Sequence, residues 1–149
     1  RVLQEIETNT ARVSVDSLLD EYSQSIMFNF SITPTDKCRV KDLKYYNVTS
    51  EVQYKEFQSI LNYQMNDYFA LKFDQRIYHP QICHLEQDYG ISGKLNFYLI
   101  FVPENLLDRE MMINTKNLTL IFEDSYFNTD VSEFVFASKV FKSLPTIDN

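Results

Sequence analysis

Cys38 and Cys83 are the only cysteines in the chain and are far apart in sequence. A zinc site normally shows closely spaced Cys or His pairs, so one Cys38–Cys83 disulfide is the economical reading. Closing a loop of that length would stabilise the fold by about 4 kcal/mol on the chain-entropy model and would imply an oxidising compartment. The alternative is two separate buried thiols, each packing as a small hydrophobe. The run His79-Pro80-Gln81-Ile82-Cys83-His84 briefly resembles a metal cluster. Pro80 prevents one regular helix from presenting His79 and Cys83 together, and no second close pair completes four ligands. The same residues lack any local signature of a cysteine nucleophile. Among the carboxylates, Glu123 and Asp124 are adjacent at a strand end and point apart. Asp16, Asp20 and Glu21 fit the solvated face of a helix rather than a convergent acid–base pair. Gly90 and Gly93 lack the further glycines and the strand-to-helix setting of a phosphate loop, and fit the turn that launches the next strand. The sequence therefore leads to no catalytic residue, no metal and no cofactor, and the chain is expected not to be an enzyme.

The elements around these residues belong to a folded domain. The chain has 149 residues and 17.7 kDa, with 44% apolar residues, 23% charged residues and only 2 Gly. That is enough to bury about two thirds of the unfolded surface in a single domain spanning residues 1–149. Its formal charge of −7, from 21 acidic and 14 basic residues, argues against a nucleic-acid partner. No run approaches the roughly 20 apolar residues of a membrane span, and Arg1 to Glu5 has neither the basic start nor the apolar stretch of a secretory signal. Three N-x-[S/T] triplets, at Asn29, Asn47 and Asn117, are taken as chance matches in an Asn-rich chain.

The apolar positions Val15, Leu18, Leu19 and Tyr22 recur at helical spacing and predict an amphipathic helix over about residues 2–24. The period then changes to two at Ile26, Phe28, Phe30 and Ile32, which predicts a strand closed by Thr33-Pro34-Thr35-Asp36. Arg39 to Leu43 is mixed and suggests a short edge strand. Ser50 with Gln53 fits a capping box, and Tyr54, Phe57, Leu61, Met65 and Tyr68 form the stripe of a second helix over 51–68. Lys94 to Val102 predicts a central strand. Glu104 to Met112 predicts a short helix, and Asn117 to Phe122 and Val131 to Phe136 predict two more strands. The expected fold is α+β, with the N-terminal helix and the second helix packed on a mainly antiparallel sheet.

The pattern R-x10-R-V-S-V-D-S-L-L-D-E-Y, followed by V52-Q-Y-K-E-F-Q-S-I-L-N-Y-Q-M, resembles the soluble portions of membrane-anchored, pilin-like or pseudopilin-like bacterial exported proteins. The resemblance covers residues 1 to 68 and carries over no site residue. It implies a periplasmic or extracellular domain, anchored by an upstream segment and excised from a longer chain. Its partners would be other proteins of an envelope or surface assembly. The alternative is a sensor or binding module holding a small hydrophobic ligand between sheet and helix. The candidate partner contact is Glu133, Phe134 and Phe136, because the segment from Asn117 to Ser138 has four acidic residues and no basic one. Such an edge suits strand addition or side-chain docking.

Overall fold

A computed structural model describes residues 25–88 and 91–142, so the helix expected over 2–24 lies outside the described residues. The strands are β1 (Ile26–Ile32), β2 (Phe69–Phe73), β3 (Arg76–Tyr78), β4 (Ile82–Leu85), β5 (Leu95–Phe101), β6 (Asn117–Glu123) and β7 (Val131–Ala137), with period-two alternation clearest in β5 and β6. The helices are α1 (Glu51–Tyr63), α2 (Leu106–Asn114) and the short α3 (Lys139–Lys142). The α+β class expected from the sequence is the one found, with α1 and α2 packed against antiparallel strands.

Those strands divide into two sheets, ordered β1-β5-β4 and β3-β2-β6-β7, with every pairing among the described residues antiparallel. Inward residues of β5 (Leu95, Phe97, Leu99 and Phe101) and of β2 and β6 are almost fully buried. Phe rings stitch the two inner faces together. Phe30 lies 5.0 Å from Phe69, 5.1 Å from Phe122 and 5.6 Å from Phe134, while Phe28 lies 5.3 Å from Phe136. Such aromatic contacts add about 0.5–1.5 kcal/mol each beyond the area they bury.

Helix α1 begins where the capping box placed it: the Gln53 N–H donates to Ser50 Oγ at 3.2 Å. The Gln53 side chain reaches back one residue further than usual, accepting from Thr49 N–H and Oγ at 2.9 and 2.7 Å. The helix stops at Tyr63, short of residue 68, and Met65–Tyr68 tightens into a 3-10 turn that keeps Met65 buried. Helix α2 starts at Leu106 because Asn105 caps it, accepting the Asp108 N–H at 2.9 Å. Arg39 to Leu43 forms no strand. Leu43 instead opens a 3-10 turn, and its N–H donates to Gly93 O at 3.1 Å. Gly93 has φ +65, and a Cβ there would fall 2.0 Å from Lys41 O, so only glycine fits.

The expected disulfide is corrected. Cys38 and Cys83 are separate, half-buried thiols. Cys83 sits on β4 opposite Leu99 and packs against the hydrophobic core, whereas Cys38 closes the Thr35–Cys38 turn with its N–H on Thr35 O at 2.9 Å. An even cysteine count says nothing about whether the two Cα atoms come within bridging distance. Without the bridge, its stabilisation and the argument for an oxidising compartment both fall away.

Candidate functional site

Strand β7 is the outer strand of the four-stranded sheet and pairs with β6 from Asn117↔Ala137 to Glu123↔Val131. Two bonds just beyond its ends fix the phase of that ladder. The Ser138 N–H donates to Lys116 O and the Asp124 N–H to Asp130 O, both at 3.2 Å. In an antiparallel pair the hydrogen-bonded positions alternate, so even-numbered residues of β7 turn their backbone toward β6. Val131, Glu133, Val135 and Ala137 therefore turn theirs outward, to an edge that no strand among the described residues covers.

Side chains of the same odd-numbered residues lie on the outer face of the sheet, with Val131 61% and Val135 63% exposed. Phe134 and Phe136 point the other way, toward Phe30 and Phe28, although Phe134 remains 40% exposed at the rim. The sequence-predicted trio thus shares a strand but not a face: Glu133 is outward, the two rings inward. Val131 and Val135, which the sequence reading did not single out, are the exposed apolar side chains on the face of Glu133, and their shared parity with it was the signal. The edge carries no Lys, Pro or bulge, so Glu133 is the one charged guard against strand addition within β7. Strand β1 is the other long edge among the described strands, but two of its three outward residues, Asn29 and Ser31, are polar beside exposed Met27, and Ser31 Oγ is bonded to Asn96 Oδ1 at 2.6 Å.

The loop before β7 is built around Asp124. Its carboxylate accepts the N–H groups of Tyr126 and Phe127 at 2.7 Å and the Thr129 hydroxyl at 2.9 Å, while Asn128 and Asp130 take left-handed backbone with φ 56 and 53. Burial raises the Asp124 pKa, but the N–H groups of Phe127, Thr129 and Tyr126 outweigh it and hold the carboxyl below its ordinary value. Exposed Glu123, Asp130 and Glu133 make the start of β7 acidic, whereas exposed Lys116 and Lys139 flank its end.

The remaining candidates are dispersed. His79 Nδ1 lies 2.9 Å from Phe69 O, and His84 faces outward on β4 opposite Tyr98, while neighbouring Cys83 faces inward. Adjacent strand residues point to opposite faces, which separates Cys83 from His84. Among the described residues no three His, Cys, Asp or Glu side chains gather where they could hold a metal. The outer face of β5 carries an unforeseen polar ladder, in which Asn96 Nδ2 and the Tyr98 hydroxyl donate to Glu86 at 2.9 and 3.3 Å. Glu86 raises the Tyr98 pKa through its charge and through this bond. Two shallow grooves flank α1, one of about 260 Å³ against Tyr46, Phe57, Ile60 and Tyr126 and one of about 350 Å³ against Tyr45 and Tyr54. No protein-family model, curated protein or solved structure matches this chain.

Proposed function

We propose that this is a non-enzymatic structural or assembly domain that works through protein–protein contacts, taking up a partner by strand addition to β7. The observation that carries the reading is the coincidence, on one edge, of outward backbone groups at Val131, Glu133, Val135 and Ala137 with the exposed side chains of Val131 and Val135. Main-chain bonds would supply affinity there and the alternating side chains specificity. Placement in an extracytoplasmic envelope assembly, with membrane attachment through an upstream segment, is part of the proposal and rests on the resemblance of residues 1 to 68. The cysteines no longer bear on it.

A photo-crosslinking amino acid in place of Val135 tests the contact in the cells that make the protein, with the same group at exposed Val52 of α1 as the control. Adducts well above the control are expected at position 135. Adducts no more abundant there than at position 52 would sink the reading.

The second reading, a sensor for a small hydrophobic ligand, draws on the groove beside Phe57 and Ile60. Ligand sites bury most of their ligand's surface, about 70–90% of it. Both grooves, which lie beside α1 where sheet and helix were expected to hold that ligand, are shallow and open, so strand contact is preferred.

A further inference from the structure

We propose that the segment added to β7 is β7 of a second copy of this chain, paired antiparallel about a two-fold axis at Phe134; this rests on the strand-addition reading above. A two-fold contact must be self-complementary, and β7 meets that demand in backbone phase, side-chain register and charge.

Backbone phase comes first. Outward groups belong to the odd-numbered residues, so the hydrogen-bonded pairs of an added antiparallel strand must join odd to odd. A two-fold through Phe134 does this along the whole strand, matching Val131 with Ala137 and Glu133 with Val135 of the second copy. Phe134 then meets its own counterpart at a non-hydrogen-bonded position, where side chains approach most closely. The rim-exposed Phe134 ring would be covered there, an aromatic pair next to Phe30.

Register follows from charge. A two-fold through Glu133 would place two carboxylates face to face, which cross-strand pairing disfavours. A two-fold through Val135 shortens the overlap. Centring on Phe134 keeps the full overlap, sets each Glu133 beside a valine, and runs the acidic start of one strand along the basic end of the other. Asp130 comes opposite Ser138 of the second copy, next to its Lys139. Within its own sheet the nearest base on that face, Lys72, lies two strands in from the edge. The product is a continuous sheet of two four-stranded halves joined β7 to β7.

Sedimentation equilibrium on the full chain, across a concentration series, tests the proposal with Val135→Glu and Val135→Lys. Both substitutions fall on an exposed side chain, and circular dichroism checks that both variants fold. In the proposed register position 135 meets Glu133 twice per dimer. Val135→Lys is therefore expected to dimerise about tenfold more tightly than Val135→Glu at low salt, with the gap closing as salt is added. Adding Glu133→Lys to Val135→Glu recreates opposite-charge pairs and is expected to restore dimerisation. A monomer at every concentration, or equal dimerisation of the two variants, overturns the proposal. If position 135 still crosslinks strongly to other proteins while the purified chain stays monomeric, strand addition stands and the second copy does not. If position 135 gives no adducts above control and the chain is monomeric, both fail.

Discussion

Burial at Cys83 pushes its thiol up to about 12, because the thiolate would have to form against the core. At pH 8 its reactive thiolate is therefore far scarcer than that of an ordinary exposed thiol. Native protein, without reductant, is expected to alkylate at Cys38 first and at Cys83 only slowly, with both reacting fully once unfolded; peptide mass mapping over time reads this out. Comparable native rates at the two positions would contradict the burial of Cys83. A second residue-scale expectation concerns Gln58 on α1, whose buried Nε2 has no hydrogen-bond partner among the described residues. A buried donor left unsatisfied costs about 1–3 kcal/mol. Gln58→Leu should therefore be neutral or stabilise by about 1 kcal/mol in urea melts, whereas most polar-to-apolar exchanges on a helix surface change little.

At the scale of elements, α2 is held to the β2–β3 hairpin by a buried charge. Asp108, 1% exposed, pairs with Arg76 and accepts from Asn105 Nδ2 at 3.0 Å, while Thr115 Oγ1 donates to Asp74 in the hairpin turn at 3.2 Å. Arg76 itself is exposed, but removing it leaves the buried Asp108 carboxylate without its counter-charge. Arg76→Ala should cost about 1–3 kcal/mol in denaturant melts, less than for a fully buried pair because water screens the exposed guanidinium. Lys55→Ala, which breaks the exposed Lys55–Glu51 pair on α1, should cost less than about 0.5 kcal/mol. Equal costs would mean that Arg76 does not hold α2. The β6–β7 loop adds a pH dependence. Because the fold holds the Asp124 pKa below its unfolded value, the stability it contributes is present above about pH 4 and is lost as pH falls through the lowered folded value. Asp124→Ala should flatten the acid limb of the stability–pH curve, and an unchanged limb would assign acid sensitivity to other carboxylates.

For the whole molecule, the two sheets meet through their shared inner faces. Phe30 of β1 touches rings on β2, β6 and β7 of the opposite sheet. Phe30 is partly buried, so Phe30→Ala should cost about 2–3 kcal/mol, below the value for a fully buried ring. Far-ultraviolet and near-ultraviolet circular dichroism should still melt together, as a two-state unit requires. A variant whose two signals melt apart would show that the sheets unfold separately.

Alternation and capping were legible in the residues themselves. The β1 run, the central KLNFYLIFV strand, β6, β7 and the Ser50 start of α1 each follow from local spacing, because strand and helix periods are local properties of the chain. Strands β2, β3 and β4 were not read from the sequence: they are short and cluster between α1 and the glycine turn, where three to five residues cannot establish a period. Contacts distant in sequence were also decided only in the tertiary structure. It kept Cys38 from Cys83, buried Asp108 beside Arg76, and split the strands into two sheets. At β7 the division is plain. Sequence alone marked Glu133, Phe134 and Phe136 and their acidic surroundings. Which face each side chain takes, and which backbone groups are left facing outward, depends on register with β6, and a shift of one residue would reverse both.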